Sequence, residues 1–213
     1  MAISGTGRPV ERRPTGASLA AIVLVAVCVG AVTLLHIVRG EVHPVSRVMS
    51  EYANGSHGLM MTIAFYAFGL SAMALGFRLS YAIVRSAVTN AVTVLLVGGG
   101  VCLVAAGVFE VERALVPDTI EEVIHSYATM TAFVLIITGM LLMSFACKSD
   151  PRWARFQTMS YVLAISAAGA AVASPFSADT GASGLVQRVL GLAVLTWFLA
   201  TALHVRTKAF RPA

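Results

Sequence analysis

The stretch "GLVQRVLGLAVLTWFLATALHV", Gly184–Val205, decides how many times this chain crosses a membrane. Its unbroken apolar part runs for 17 residues, Val189–Val205. At about 1.5 Å per residue that covers about 26 Å, less than a hydrocarbon core of about 30 Å. Counted as a span, it must draw Gln187 and Arg188 into the outer edge of the membrane. Arg188 then either snorkels to the headgroups or turns inward to a carboxylate, with Glu51, Glu110, Asp118 and Glu122 as candidates.

Five further stretches are long enough to span: Ala17–Val38, Gly58–Phe77, Ser86–Phe109, Ser126–Cys147 and Phe156–Phe176. The 213 residues are 58% hydrophobic and 12% charged, with a mean hydropathy of +0.84. Soluble domains carry about a quarter charged residues, so this composition points to a membrane solvent. Six spans leave no room for a separate soluble domain. The expected fold is an all-α polytopic membrane bundle of six transmembrane helices, residues 17–205. A disordered tail, 1–16, precedes it and a short tail, 206–213, follows.

The basic residues set an expected orientation. Arg8, Arg12, Arg13, Arg78, Arg85, Lys148, Arg152, Arg155, Arg206, Lys208 and Arg211 fall on the side of the termini under six spans. Arg39, Arg47, Arg113 and Arg188 fall on the other side, so both termini are expected in the cytoplasm of a cell-membrane protein. A formal charge of +5 is thereby a topology signal and calls for no nucleic-acid partner. Of the ten acidic residues only Glu11 and Asp150 lie inside, so the outer face holds the polar chemistry. Cys28, Cys102 and Cys147 have no paired spacing and read as small apolar packing residues. The first span is too long for a typical signal core and lacks a small-x-small site before Arg39, so it is expected to stay as a helix.

Between the first two spans lies "GEVHPVSRVMSEYANGSHG", Gly40–Gly58. Pro44 suits a first helical turn, and Val45, Val48, Met49 and Tyr52 follow at helical spacing. The pattern predicts a short amphipathic helix over Pro44–Ala53 in the interface plane, with Ser46, Arg47 and Ser50 facing water. Asn54-Gly55 should end it and Ser56 should cap span two. Arg47 and Glu51, four apart, read as a solvated pair. "GGG" at Gly98–Gly100 and "AISAAGAAVAS" at Ala164–Ser174 are rich in small residues, which places spans three and five inside the bundle.

Asp118, Glu121, Glu122 and His125 can share one helical face. Glu122-x-x-His125 has a spacing that diiron bundles use, but a single copy is equally a helix start with acidic residues on the dipole. His57 and His125, each opening a span, could face each other across a haem. Metal and cofactor therefore stay open. No charged residue lies near the middle of a span, which lowers the weight of a proton relay or voltage sensor. There is no P-loop, GxSxG or HExxH.

"SEY" at Ser50–Tyr52, "PD" at Pro117-Asp118 leading to "IHSYAT" at Ile124–Thr129, and "GLVQR" at Gly184–Arg188 together resemble the domain-of-unknown-function family 998. That family comprises small integral membrane proteins of bacteria and archaea. The resemblance implies a compact multi-span bundle over roughly Ala17–Val205 and marks Ser50, Glu51, Asp118, His125, Gln187 and Arg188. It implies no activity. Three function classes follow. The first is an accessory or structural membrane protein whose outer polar cluster holds the bundle together or meets a lipid or membrane-protein partner. The second is an enzyme acting on lipid headgroups, with His125 as acid/base oriented by Asp118 or Glu122 and with Ser50, Glu51, Gln187 and Arg188 as binding groups. The third is a carrier of a lipid or small molecule.

Overall fold

The computed structural model describes residues 15–82, 86–109, 119–149 and 151–209. Its six long helices are α1 (Thr15–Val38), α2 (Gly58–Ala82), α3 (Ala87–Val108), α4 (Ile120–Ala146), α5 (Ala154–Ser177) and α6 (Ser183–Ala209). All six are long and apolar enough to cross a membrane. Three short 3₁₀ helices, Met49–Ala53, Cys147–Ser149 and Pro151–Trp153, lie in the connections, and no strand occurs among the described residues. The sixth helix is 27 residues long and carries Gln187 and Arg188 in its second turn, as the length argument requires.

Successive helices pack side by side from α1 to α6, and α6 returns against α1 to close the ring. Apolar burial gives no drive between helices that are already in lipid, so backbone approach and polar bonds must hold the ring. At the α2–α3 contact a Cβ added to Gly69 would lie 2.5 Å from the Gly100 carbonyl oxygen, and one added to Gly100 would lie 2.5 Å from that of Gly69. Only two glycines permit backbones this close. Gly99 faces α4, where an added Cβ would meet Ile136 at 2.6 Å.

Polar bonds join α4, α5 and α6. The Trp197 indole donates to Ser160 Oγ at 2.7 Å, and Ser160 and Ser144 hydroxyls meet at 2.6 Å. Ser144 donates its proton to the Met140 carbonyl at 2.8 Å. Ser160 is therefore the donor to Ser144, and the run Trp197–Ser160–Ser144–Met140 points one way, each bond polarising the next. Phe68, Phe133 and Phe198 meet edge to face nearby, with centroids 6.1 and 5.7 Å apart.

Three expectations are corrected. The amphipathic helix over Pro44–Ala53 does not form; the chain makes turns through Pro44–Ser46 and then the 3₁₀ helix Met49–Ala53. Ser50, expected in water, is buried, and Val45, expected in an apolar setting, is exposed. The reason is tertiary: the carbonyls of Val45, Ser46 and Arg47 and the Met49 N–H bond to α6, and only isolated turn bonds such as Arg47 N to the His43 carbonyl at 2.9 Å remain within the loop. Ser56 does not cap α2, because its hydroxyl bonds the His57 imidazole at 3.0 Å. Gly99 and Gly100 of span three pack closely against α4 and α2, but α5 is peripheral, with an added Cβ at Gly169 meeting nothing within 4 Å. Its small residues leave a smooth exposed face as well as a packed one.

Candidate functional site

The loop after α1 is fastened at both ends. Arg39 pairs with Glu41 and donates to the Asn54 carbonyl at 2.6 Å, tying the start of the loop to its end. The bond from Arg39 holds the exposed Glu41 carboxyl below the usual carboxylate range. Gly55 takes a φ of +96° at the turn beside that guanidinium, a conformation glycine adopts freely. The middle of the loop lies on the first turns of α6. Ser183 Oγ donates to the Ser46 carbonyl at 2.8 Å, Leu185 N donates to the Val45 carbonyl at 2.9 Å, and Met49 N donates to Gln187 Oε1. Gly184 permits the approach: a Cβ there would lie 2.2 Å from the Arg47 carbonyl oxygen.

Arg188 sits at the centre of this junction. Its Nη1 donates to the carbonyls of Arg47 at 2.9 Å and Gly184 at 3.0 Å. Its Nε donates to His36 Nε2 at 2.8 Å, and Nη2 reaches the Tyr52 hydroxyl at 3.4 Å. The guanidinium lies 5.9 Å from the centroid of the buried Tyr52 ring. The expected ion pair with Glu51 or Glu122 is absent. Glu51 pairs with Arg47 instead, and no carboxylate among the described residues lies within 4.0 Å of Arg188. Among the described residues the acceptors around the cation are neutral: the carbonyls of Arg47 and Gly184, the His36 ring and the Tyr52 hydroxyl. Glu110 and Asp118 lie outside the described residues.

Below Arg188 a cavity of about 270 Å³ runs down between α1, α2 and α6, with α3 and α4 closing its far wall. Its polar groups gather at the loop end: His36, Ser50, Gln187 and Arg188. The rest is largely apolar, from Val32, Met61, Phe65, Phe68, Leu103 and Phe133. Val29 of α1 and Leu192 of α6 belong to the lining and are also exposed, so the cavity opens sideways between those helices toward lipid. Thr129 Oγ1, on the α4 wall, is buried with no hydrogen-bond partner. This is a concave apolar space with a few convergent polar groups, the usual form of a small-molecule site.

The residues expected at a site therefore fall into two groups. Ser50, Gln187 and Arg188 come together at the cavity mouth, with Glu51 beside them in its pair with Arg47. His125 and Glu122 lie elsewhere, at the start of α4. His125 is buried, with Nδ1 against the Ala106 carbonyl at 2.8 Å and the Phe109 carbonyl at 3.1 Å, and its ring meets Phe65 edge-on at 5.3 Å. It thereby satisfies the carbonyls that α3 leaves unpaired at its C-terminal end. Glu122 borders a shallow surface groove with Val123, Ser126, Tyr127 and Met130, and its backbone is capped by Thr119. His57 is exposed. No group of three or more His, Cys, Asp or Glu that could hold a metal occurs among the described residues. His36 and Tyr52 are the mouth residues that sequence reading missed. A histidine in the last turn of α1, at the depth of Arg188, was the available signal.

No curated protein and no solved structure matches the chain. The family model described as "Protein of unknown function (DUF998)" matches residues 18–204. The match begins in the first turn of α1, ends near the close of α6 and takes in every helix and the whole cavity mouth, and the chain belongs to the DUF998 family.

Proposed function

We propose that this membrane protein binds one amphiphilic molecule drawn from the bilayer, as a carrier or sensor of that molecule. The observation that carries the reading is the cavity: largely apolar along its length, with its charged and amide groups at the mouth, and open to lipid between α1 and α6. A chain enters between Val29 and Leu192, and a polar head reaches Ser50, Gln187 and Arg188. On the Lys/Arg asymmetry, both termini are cytoplasmic and the mouth belongs to the outer leaflet. The accessory role and the headgroup enzyme gain less support. The enzyme needs His125 as its acid/base, and that ring spends Nδ1 on two backbone carbonyls away from the cavity.

Binding of a fluorescent undecanoate to the protein in lipid nanodiscs tests this reading. Saturable binding near one per protein is expected. Gly191→Leu should weaken it about tenfold or more, by filling a lining position where an added Cβ meets only Met49 Cε at 3.4 Å. Absence of saturable binding, or equal binding by a Gly191→Leu protein of unchanged thermal stability, refutes it.

A further inference from the structure

Among the described residues the unengaged polar groups of the mouth are mainly donors, and Arg188 is a cation with no carboxylate within 4.0 Å. Arg188 has five N–H donors in a planar fork. Nε is committed to His36 and both Nη1 protons to carbonyls, while Nη2 spends at most one on the distant Tyr52 hydroxyl. One Nη2 donor remains. Gln187 uses its oxygen to accept from Met49 N, which leaves the two amide protons, and these make no hydrogen bond among the described residues. The hydroxyl of the buried Ser50 is likewise unengaged among them.

The charge count is equally definite. Arg188 Nε can only donate, so His36 Nε2 must accept, and the ring proton sits on Nδ1, which donates to the Val32 carbonyl at 2.7 Å. His36 is therefore neutral in this arrangement. Arg39 is matched by Glu41 and Arg47 by Glu51. Among the described residues that leaves Arg188 as a half-buried cation whose partners are all neutral. Neutral acceptors orient a guanidinium without compensating its charge, and a charge at the edge of an apolar space is costly until an anion meets it.

From this set of groups we infer the class of ligand: a single-chain amphiphile with one carboxylate head, that is, a long-chain fatty carboxylate. The inference rests on the amphiphile-binding reading above and adds the head to it. The head accepts from Arg188 Nη2, Gln187 Nε2 and Ser50 Oγ, and the chain lies along Met61, Phe65, Phe68 and Leu103. The volume of about 270 Å³ lies just under the usual range of small-molecule pockets and suits a single chain. A phosphate monoester brings about 1.5–2 negative charges and would need a second cation. A quaternary ammonium head is excluded by Arg188 itself, which already lies against Tyr52, the aromatic ring such a head would seek.

The test is competition against the fluorescent undecanoate in nanodiscs, by laurate, lauryl alcohol, dodecyl phosphate and dodecyltrimethylammonium, at about pH 8 where a carboxylic acid is ionised. Laurate should compete about tenfold or more better than lauryl alcohol, the scale of hydrogen bonds to a charged group, and better than the other two heads. Arg188→Gln should erase the preference for laurate over the alcohol. Because Arg188 also ties down the loop, Gln187→Glu supplies a second route. It keeps the acceptor for Met49 N and places a carboxylate beside Arg188, so it too should erase the preference in a folded protein. Equal competition by laurate and alcohol, a preference that survives both substitutions, or a stronger phosphate or ammonium competitor overturns the carboxylate assignment and leaves the amphiphile-binding reading standing. If none of the four competes, both fall.

Discussion

Gly184→Ala puts the docking of the loop onto α6 to a direct test. A Cβ at Gly184 would lie 2.2 Å from the Arg47 carbonyl oxygen and 2.8 Å from that of Pro44. Both are backbone atoms and neither can rotate away. The first turn of α6 and the loop must separate by about 1 Å to bring the methyl near contact distance. Of the bonds that cross that gap, three lie beside the added methyl: Ser183 to Ser46 at 2.8 Å, Leu185 to Val45 at 2.9 Å, and Arg188 to Arg47 at 2.9 Å. Lengthened by about 1 Å, none remains a hydrogen bond. At about 0.5–1.5 kcal/mol net each, the loss is about 1.5–4.5 kcal/mol. The better helix propensity of alanine returns up to about 1 kcal/mol. A net cost near 2 kcal/mol lowers Tm by about 4–8 °C for a chain of this size. Thermal unfolding in detergent reads the shift, and hydrogen exchange over residues 44–49 should accelerate. Gly30→Ala is the control: nothing lies within 4 Å of its added Cβ, so that variant should be unchanged or more stable. A Gly184→Ala protein with Tm within about 1 °C of wild type and an equally protected loop would refute the reasoning.

Gly100→Ala should be among the most damaging single methyl additions, since the new carbon would lie 2.5 Å from the Gly69 carbonyl; overpacking of this kind costs about 1–3 kcal/mol, read as lost thermal stability. Ser160→Ala strands the buried Trp197 indole N–H and should cost about 1–3 kcal/mol, whereas Ser160→Thr, which keeps a hydroxyl, should cost less; equal stability of the two variants contradicts the relay. For topology, an impermeant thiol reagent on whole cells should label a cysteine at Thr119 and spare one at Ser149, and the reverse pattern inverts the orientation.

The number of spans was legible because apolar length against membrane thickness is a one-dimensional measurement, and Gln187 and Arg188 enter α6 as that arithmetic demands. The α2–α3 seam was legible in part, since three successive glycines announce a close approach without naming Gly69 as the partner. The loop was misread because Val45, Val48, Met49 and Tyr52 do recur at helical spacing. What overrode the spacing was acceptors and donors 137 or more residues away on α6, which no local pattern contains. Arg188 was singled out from span length, and of the carboxylates expected to meet it Glu51 pairs with Arg47 and Glu122 lies elsewhere. Charge suggests a carboxylate, while the folded loop supplies the carbonyls of Arg47 and Gly184 and the ring of His36. His36, Ser50, Gln187 and Arg188 come from three separated segments, so their convergence is a property of the closed ring alone.

That closure has a consequence for how the protein is made. The bond between Arg188 and His36 spans 152 positions, and those from Ser183 and Gln187 to the loop span 137 and 138. As the chain emerges from the ribosome, α1 and the loop after it enter the membrane while α6 is still unsynthesised. Throughout that interval the carbonyls of Val45, Ser46 and Arg47 lack the α6 donors they acquire in the finished protein, and the pocket lacks the side that α6 provides. The cavity is therefore completed in one step, with the last helix, and a chain cut short before Ser183 or inserted with α6 left outside has five good helices and no closed cavity. A cysteine pair at Ser46 and Ser183, followed by oxidation during a pulse-chase, times that step. Cross-linking should begin only after the sixth helix has been released into the bilayer, and nascent chains ending before residue 183 should remain in quality control.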